Sequence, residues 1–379
     1  MKNPRVVSIL KERLPNETRV VLLPEQVGQF VAADIAVLVE AGAGEGCGYP
    51  DEAYRKVGAR IVSTDEAWAQ SNLILKLFAP SESEYERLTA RISIGGFLHA
   101  EGRKPLVEAL KRSGCTAYAY EYFRTADGIF PMAVPLSEIS GQMAVIYASY
   151  FLQSHFGGRG ILIPAVPGVE AARVLVIGYG NAGSAAAKLA AAMGAKVVVL
   201  GTHREKLRHF QALLPPGMEC YLNTPETLER EVLKADLVIG AILISTFDTP
   251  PMIDEALVRR MKRGAMIVDV TCGHGRGYLP SFDRCTTHKD PVYVRNGILH
   301  CKIDILPAGV PLSAGQANSV VIAPYLVRMA ESVFDAGRPD VTSAAGKIVA
   351  GGQVTHAEIE RNMKMIDALQ EEVRTAGFA

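Results

Sequence analysis

A short apolar strand that runs directly into a glycine-rich turn and then into a helix restricts most strongly how this chain can fold. The strand at Val174–Ile177 leads into the pattern G-x-G-x-x-G at Gly178, Gly180 and Gly183, and a second apolar strand follows at Val197–Leu200. In such a unit the glycines permit the tight turn, the approach of a diphosphate and the packing of the helix on the strand. The diphosphate would rest on the N–H groups at the start of the helix. The pattern predicts a dinucleotide-binding unit with cofactor contacts at Gly178, Gly180, Asn181, Ala182 and Gly183.

The end of the second strand indicates which nicotinamide cofactor fits. NAD-binding sites usually carry Asp or Glu about 20 residues beyond the first glycine, where the carboxylate holds the ribose 2′-hydroxyl. Here the strand ends in Leu200-Gly201-Thr202-His203-Arg204, without an acid that would repel a 2′-phosphate. We expect Gly201 to leave room, Thr202 to donate a hydrogen bond and Arg204 to supply charge, which favours NADP(H). The alternative is that Arg204 is a solvated helix residue and that NAD(H) is bound through other contacts.

Composition narrows the class of protein. The chain has 379 residues, enough for two ordinary domains, and its 40 basic and 40 acidic residues give a formal net charge of zero. That balance does not suggest nucleic acid or an anionic membrane as partner. No apolar run approaches the roughly 20 residues of a membrane span, and the N-terminus lacks a signal-peptide pattern. The 6 cysteines do not suggest a disulfide framework in so long a chain, so we expect a cytoplasmic location.

Strands and helices alternate along the chain. The first part predicts strands at Val6–Leu10, Ile35–Val39, Leu73–Leu77, Ile92–Phe97 and Thr116–Tyr120. Long helices are predicted at Ser137–His155, Ser319–Ala336 and Ala357–Ala376. We therefore expect an α/β fold with two Rossmann-like, doubly wound parallel-sheet domains separated by a cleft and joined by long helices. The expected domains are 1–135 plus 308–379 for the substrate and 136–307 for the dinucleotide.

Several ordered segments resemble the family of alanine dehydrogenase and the NAD(H)-binding domain of proton-translocating transhydrogenase. They include Lys11-Glu-Arg-Leu-Pro-Asn-Glu-Thr-Arg19-Val, Phe97-Leu98-His99-Ala100, Pro135-Leu-Ser137-Glu138-Ile-Ser-Gly141, Val268-Asp-Val270 and Thr286-Thr-His288. The resemblance implies an oxidoreductase that moves a hydride between nicotinamide and the 2-carbon of an amino or oxo acid. It also implies a homo-oligomer, either a dimer or a hexamer.

The resemblance assigns roles to individual residues. Arg19 matches the arginine that holds the substrate carboxylate, a task that suits the planar fork of a guanidinium. Lys76 matches the lysine that contacts the carboxylate and the carbonyl, and His99 matches the general acid/base. Leu136 and Ser137 match positions beside the nicotinamide. On pattern alone, Arg19 and Lys76 would equally suit surface charges, and His99 would suit a structural histidine.

The chain departs from the family after the strand that ends near Val270. Alanine dehydrogenases carry a catalytic aspartate where this chain has Gly273. Either His274 takes over proton handling beside His99, or Gly273 opens space for a second, amine-bearing substrate. In the second case the chain would resemble carboxyethylornithine synthase, an opine-type relative that uses NADPH. We expect NADP(H)-dependent reduction of an imine formed by a 2-oxo acid with ammonia or an amine.

The sequence leaves three other interpretations open: a zinc site, a transhydrogenase-like subunit and a non-catalytic sensor. Cys272, His274, Cys285 and His288 have side chains that bind zinc, but the C-x-H spacing is atypical of structural zinc sites and we predict no metal. A transhydrogenase-like nucleotide-binding subunit would exchange hydride with a partner protein, yet the Arg-Gln-Asp triplet of that domain is missing from the long-helix region. A non-catalytic sensor of NADPH or of an amino acid would account for the lost aspartate.

Overall fold

The computed structural model describes residues 5–212, 217–242, 252–271 and 279–375. The chain divides into two compact units, one formed by Met1–Pro135 with Val310–Ala379 and the other by Leu136–Gly309. Each unit is built around its own sheet. In the described ranges, no helix combines the length and the apolar character needed to cross a membrane.

The secondary structure elements are numbered in chain order. The strands are β1 (Val6–Ile9), β2 (Ala36–Glu40), β3 (Arg60–Val62), β4 (Leu73–Phe78), β5 (Ser93–Phe97), β6 (Thr116–Ala119), β7 (Arg173–Ile177), β8 (Lys196–Gly201), β9 (Glu219–Leu222), β10 (Leu237–Gly240), β11 (Met266–Asp269), β12 (Tyr293–Arg295), β13 (Ile298–Cys301), β14 (Lys347–Ala350) and β15 (Gln353–Val354). The helices are α1 (Pro24–Ala32), α2 (Asp51–Lys56), α3 (Thr64–Gln70), α4 (Lys104–Ser113), α5 (Val134–Phe151), α6 (Asn181–Ala192), α7 (Arg204–Ala212), α8 (Pro225–Lys234), α9 (Glu255–Arg259), α10 (Pro311–Phe334), α11 (Val341–Ala345) and α12 (Ala357–Thr375).

The sheet of the first unit has the strand order β15-β14-β6-β5-β4-β1-β2-β3. The strands β1 to β6 pair in parallel, and their apolar side chains, such as Ile74 and Ile94, are buried against helices. From β1 the strands β2 and β3 follow toward one edge of the sheet, whereas β4, β5 and β6 follow toward the other, so the strand order reverses between β1 and β4. The carboxyl ends of strands beside such a reversal are where open α/β sheets place their ligands.

The sheet of the second unit has the strand order β12-β13-β11-β10-β7-β8-β9. Its core contains Leu175, Val198, Val238 and Ile267 from four neighbouring strands. The order reverses between β7 and β10, and the glycine-rich turn follows β7 directly. The predicted α/β class with two Rossmann-like units is therefore confirmed, and the glycine-rich turn lies at the reversal point of its sheet.

Both sheets are predominantly parallel, as predicted, and each carries antiparallel pairing at one end. Strand β12 pairs antiparallel with β13, β14 pairs antiparallel with β6, and β15 pairs antiparallel with β14. The strands β12, β14 and β15 contain two to four residues each. Such short segments leave too little alternation in the sequence to be recognised as strands.

Two long helices begin earlier than predicted. Helix α5 begins at Val134 rather than at Ser137, and α10 begins at Pro311 rather than at Ser319. In both cases a proline lies in the first helical turn, where its missing N–H would have no intrahelical acceptor anyway. A proline at such a position starts a helix instead of delaying it.

Candidate active site

The predicted substrate residues come together at one edge of the first sheet. Arg19 follows β1, Lys76 lies near the end of β4, and His99 directly follows β5. These strands are neighbours in the order β5-β4-β1. Because parallel strands share the direction of their carboxyl ends, side chains that are far apart in sequence meet at this edge.

Arg19 is buried rather than solvated, so the surface-charge alternative is wrong. Its side chain is 1% exposed and pairs with Glu17, whose two carboxylate oxygens accept from Nε at 2.8 Å and Nη2 at 2.7 Å. The remaining nitrogen, Nη1, is buried without a hydrogen-bond acceptor. A buried donor without an acceptor is costly, and the carboxylate oxygen of a bound acid would satisfy it.

Lys76 is also fully buried, with 0% of its side chain exposed. Its Nζ donates to Glu84 Oε1 at 3.1 Å and to the Lys11 carbonyl at 3.4 Å, and it lies 3.8 Å from Glu12 Oε2. One extra residue of β4 opposes β5 between Leu75 and Phe78, and such a bulge re-aims the side chains beside it. The ammonium group of Lys76 is therefore surrounded by two carboxylates and a backbone carbonyl.

Glu12 is a second acidic residue beside Lys76, in addition to Glu84. Burial raises the pKa of Glu12 to about 7, although the charge of Lys76 and the hydrogen bond from the Leu77 N–H act against that rise. Its Oε2 is buried without a hydrogen-bond partner. A carboxyl group with this pKa gains and loses its proton near neutrality, while Glu84 stays in contact with the ammonium of Lys76.

His99 has a strained backbone that a carboxylate holds in place. Its φ of 43° and ψ of 47° lie in the left-handed region, which residues other than glycine rarely adopt. Glu121 accepts from the His99 N–H at 2.7 Å and from the Leu98 N–H at 3.2 Å. This pair of hydrogen bonds fixes the turn after β5 and so positions the imidazole.

The imidazole of His99 has a carboxylate partner within its own turn. Nδ1 lies 3.5 Å from Glu101 Oε1, and the His99 side chain remains 33% exposed. Burial lowers the pKa of His99, but the hydrogen bond to Glu101 and the charges of Glu121 and Glu101 outweigh it, so the net pKa is raised above its ordinary value. The pairing of Nδ1 with Glu101 leaves Nε2 as the nitrogen for proton exchange with a substrate.

Aromatic rings connect the arginine to the histidine. The Arg19 guanidinium lies 5.6 Å from the centre of the Phe78 ring, Phe78 lies 6.4 Å from Phe97, and Phe97 stacks on His99 at 6.5 Å. These rings form an apolar row between the guanidinium and the imidazole.

One cluster at this edge has the spacing that a metal ion requires. The nearest ligand-type atoms of His99, Glu101 and Glu121 all lie within 4.8 Å of one another. However, Glu121 already accepts two backbone N–H groups, and Glu101 faces the imidazole. Acidic groups packed in this way position a histidine without an ion, so we assign no metal to the cluster.

In the second unit, the three glycines of the turn are required for different reasons. A Cβ on Gly178, whose φ is +101°, would lie 2.3 Å from the Ala241 carbonyl oxygen, and a Cβ on Gly183 would lie 2.1 Å from the Gly178 carbonyl oxygen. A Cβ on Gly180 would meet no protein atom within 4 Å. Packing explains Gly178 and Gly183, whereas the space beside Gly180 fits a diphosphate at the start of α6.

The space above Gly201 is already filled, which corrects the expectation that this glycine leaves room for a cofactor phosphate. A Cβ on Gly201 would lie 2.1 Å from the ring of Tyr179, the residue between the first two glycines of the turn. That ring also packs on Phe210 of α7, with the ring centres 5.6 Å apart. Thr202 and Arg204 are exposed beyond it.

Helix α5 brings Ser137 to the start of the glycine-loop helix. A Cβ on Gly141 of α5 would lie 2.0 Å from the Ala182 carbonyl oxygen of α6, so the two helices touch there. Ser137 is one helical turn before Gly141 and therefore lies on the same face of α5. Asn181 and Ala182 form the first turn of α6, where the backbone N–H groups have no intrahelical acceptor.

The other predicted residues do not form a site within the described ranges. His274 and Cys272 lie outside the described residues. Cys285 donates to Asp304 Oδ1 at 3.1 Å, and burial is the main cause that raises the pKa of its thiol to about 11. Both ring nitrogens of His288 are within hydrogen-bond distance of other groups, the Tyr147 hydroxyl and the Ile305 carbonyl. Cys285 and His288 thus have separate partners.

Sequence reasoning gave no role to the acids that organise this site. Glu12 and Glu17 lie inside the quoted opening motif, and Glu101 is two residues after His99, so their positions were visible. Glu84 follows Lys76 by eight residues and forms a capping box with Ser81, so its position was visible as well. Glu121 follows β6, and the pairing of β6 with β5 brings it to His99.

Comparison with known proteins gives a consistent result. Two family models match: Alanine dehydrogenase/PNT, N-terminal domain, over residues 8–140, and Alanine dehydrogenase/PNT, C-terminal domain, over residues 144–357. The alanine dehydrogenase of Bacillus subtilis (strain 168) is 33% identical over 379 residues, which cover 98% of this chain and 100% of that protein. The alanine dehydrogenase of Mycolicibacterium smegmatis is 36% identical over 353 residues, which cover 93% of each. A solved structure of L-alanine dehydrogenase aligns with a TM-score of 0.88 and 32% identity over 95% of this chain and 99% of that chain.

The open space at Gly180 generates a prediction about cofactor binding. Gly180→Ala is expected to change the free energy of unfolding by less than about 0.5 kcal/mol, because its Cβ meets no protein atom. It should weaken NADPH binding by about tenfold or more, because the methyl group takes space meant for the diphosphate. Thermal unfolding and fluorescence titration measure the two effects. The matched variant Gly178→Ala should be strongly destabilised, and equal stability of both variants would contradict this assignment.

The raised pKa of Glu12 generates a prediction about stability. Its folded pKa of about 7 lies above the ordinary value of 4.5 for a glutamate, so on raising the pH the folded state keeps the proton longer than the unfolded state. The contribution of Glu12 to stability is therefore lost as pH rises from 4.5 towards 7. Glu12→Gln should flatten the dependence of the denaturation midpoint on pH across this window. The exposed control Glu52→Gln should leave it unchanged, and a slope in Glu12→Gln equal to that of the wild type would argue against the buried titration.

Proposed function

The chain belongs to the alanine dehydrogenase/PNT family, and from this premise we propose that it is an NADP(H)-dependent dehydrogenase acting on the CH–NH group of an amino acid. In the reductive direction a 2-oxo acid forms an imine with ammonia or a primary amine, and the imine is reduced. The supporting observation is that one edge of the first sheet carries both the His99 imidazole and a buried guanidinium nitrogen of Arg19 that has no acceptor, with Phe78 and Phe97 between them.

Arg19 binds the substrate carboxylate in this proposal. Glu17 holds Nε and Nη2, so Nη1 is fixed in direction and donates to a carboxylate oxygen. The Phe78 ring flanks the guanidinium and excludes water from it. Lys76 contributes its positive charge from a buried position in which Glu84 and Glu12 lie close to its ammonium group.

His99 moves the protons that imine formation and breakdown require. Its Nδ1 faces Glu101, so Nε2 exchanges protons with the substrate nitrogen and oxygen. Glu121 keeps the ring in position through the backbone of the turn. When bound, the nicotinamide supplies the hydride in the reductive direction and accepts it in the reverse. The glycine-rich turn at Gly180, the start of α6 and Ser137 would hold that cofactor.

We assign the preference for NADP(H) to the end of β8. The positions after Leu200 carry no acid, and Thr202 and Arg204 are exposed there. The Tyr179 ring covers Gly201 and forms the floor of this position. A ribose 2′-phosphate would meet the hydroxyl of Thr202 and the guanidinium of Arg204, which suit a dianion.

The function is tested by oxidation of NADPH and NADH with a panel of 2-oxo acids, each supplied with ammonia, ornithine or lysine. Turnover with ammonia supports amination of the alanine dehydrogenase type, and turnover only with a second amino acid supports an opine-type synthase. His99→Ala should lower kcat by about 10²–10⁴-fold, as expected for loss of a general acid/base. The exposed control His155→Ala should retain activity.

Two results would contradict the proposal. One is the absence of turnover across the whole panel while NADPH still binds, which would favour a sensor of nicotinamide cofactor or amino acid. The other is a His99→Ala variant with unchanged kcat, which would remove the imidazole from the mechanism.

Cofactor preference generates a separate prediction. Arg204→Gln should weaken NADPH binding by about 10–100-fold, because a hydrogen bond between charged groups is worth about 1.5–3 kcal/mol, and it should spare NADH. Lys206→Gln removes a charge two residues along the same helix and serves as the matched control. Fluorescence titration with both cofactors measures the change. Equal loss of NADPH affinity in both variants would assign the effect to general charge rather than to Arg204.

A further inference from the structure

Five charged side chains are buried together at the carboxyl edge of the first sheet. Two are cations and three are acids, and each has at most 5% of its side chain exposed: Arg19, Lys76, Glu12, Glu17 and Glu84. If all five are ionised, one negative charge is in excess. Salt screens buried charges only weakly, so each of these groups acts on its neighbours.

The end of strand β4 holds the two cations and Glu12 close to one another. Glu12 Oε1 accepts from the Leu77 N–H at 2.6 Å, and Glu12 Oε2 lies 3.8 Å from the ammonium group of Lys76, the residue before. The ring of the next residue, Phe78, lies 5.6 Å from the Arg19 guanidinium. A negative charge that arrives at Arg19 is therefore near enough to act on Glu12.

Hydrogen bonds distinguish the three acids from one another. Both oxygens of Glu17 accept from the Arg19 guanidinium, at 2.8 and 2.7 Å. The oxygens of Glu84 accept from an ammonium group at 3.1 Å and from the Ser81 N–H at 2.8 Å. Glu12 Oε2, by contrast, is buried without a hydrogen-bond partner. A proton on this oxygen displaces no donor, whereas a proton on Glu17 or Glu84 would, so Glu12 is protonated at the least cost.

The pKa of Glu12 agrees with this order. Burial is the main cause that raises it to about 7, and the charges of Glu17 and Glu84 add to the rise. The charge of Lys76 and the hydrogen bond from the Leu77 N–H act against it. Glu12 therefore changes its protonation state near neutral pH, and a further negative charge nearby moves that change to higher pH.

The groups that face Glu12 come from several parts of the chain. Lys76 belongs to β4, Glu84 to the segment between β4 and β5, and Glu17 to the same loop as Glu12. Tyr120 follows β6, and its hydroxyl is buried without a hydrogen-bond partner. Burial raises the pKa of Tyr120, and the charge of Glu12 adds to that rise. The phenol keeps its proton and adds no charge, so Glu12 is the group of this set that can change the net charge near neutrality.

We propose that Glu12 compensates the charge of the substrate carboxylate: it takes up a proton when a carboxylate binds to Arg19 and releases the proton when the ligand leaves. This inference rests on the proposed function, in which Arg19 Nη1 donates to the carboxylate. Glu12 does not touch the ligand and is a positioning residue, because it acts through the charges around Arg19 and Lys76.

The proton balance of this step is simple. An O–H bond forms at Glu12 Oε2 while the O–H or N–H bond of a solvent or buffer acid breaks, and the ligand stays an anion. The empty cluster with Glu12 ionised carries one excess negative charge, and the occupied cluster with Glu12 protonated carries the same. Binding thus leaves the net charge of the buried group unchanged. By linkage, protonation of Glu12 and carboxylate binding strengthen each other by the same factor.

The test measures binding of acetate and of pyruvate to the cofactor-free chain by isothermal titration calorimetry. A His99→Asn background removes the imidazole, which also titrates, and asparagine tolerates the left-handed backbone at this position. From about pH 6 to about pH 9, the dissociation constant of acetate should rise about tenfold, as expected if the bound carboxylate raises the pKa of Glu12 by about one pH unit. Buffers of different ionisation enthalpy should reveal uptake of about half a proton per acetate near pH 7.5.

Glu12→Gln in the same background is neutral at every pH. It should bind acetate with an affinity that does not change with pH, and without proton uptake. The exposed control Glu52→Gln should keep both effects. Binding without proton uptake, or uptake that persists in Glu12→Gln, would overturn the inference and leave the proposed function standing. If neither carboxylate binds, the inference falls, and turnover in the panel of 2-oxo acids decides separately whether the chain is a dehydrogenase.

A second measurement uses the unaltered chain and does not depend on the stability of a variant. Infrared difference spectra at about pH 7.5, with and without acetate, should show the band of a newly protonated carboxyl group, because acetate itself stays ionised at this pH. The band should be missing from Glu12→Gln. Acetate binding without this band in the unaltered chain would overturn the inference.

Discussion

Charge cannot be buried alone, and this constraint organises the carboxyl edge of the first sheet. The edge holds two buried cations, and each has an acid partner from its own neighbourhood: Glu17 for Arg19 and Glu84 for Lys76. Breaking such a pair by removing one partner costs about 3–5 kcal/mol. The pairs fix the side chains before any ligand arrives. Glu12 is an additional acid in this setting, and burial is the main cause of its raised pKa, with the charges of Glu17 and Glu84 adding to it.

The same constraint explains how His99 is presented to a substrate. A left-handed backbone at a non-glycine residue is costly, and two hydrogen bonds to Glu121 offset that cost. The turn that results carries Glu101 to the imidazole, and Tyr122 and α12 then cover the far side of Glu101. The end of strand β5 thus provides the imidazole, while the C-terminal helix α12 packs against the turn that carries it.

The sequence predicted different parts of the molecule with different success. The glycine-rich turn identified the second unit correctly, because strand, turn and helix follow one another and the requirement is local. The space above Gly201 was misjudged, because a neighbouring side chain, that of Tyr179, fills it. Arg19, Lys76 and His99 were brought to one edge, but the sequence could not show that Lys76 is enclosed by Glu84 and Glu12.

The sequence by itself determined the alternation of strands and helices, and hence the α/β class and the glycine-rich turn at Gly178. These features depend on residue spacing within a few turns of chain, which a linear pattern records. Tertiary structure decided which acids meet the reactive cations and that α12 closes over the turn beside His99. The contact of α12 with that turn and the contact of Glu12 with Lys76 join segments that are far apart in the sequence, and they follow from the way in which the strands assemble. Periodicity along the sequence specifies which face of an element is buried, but not which distant side chain will lie against it.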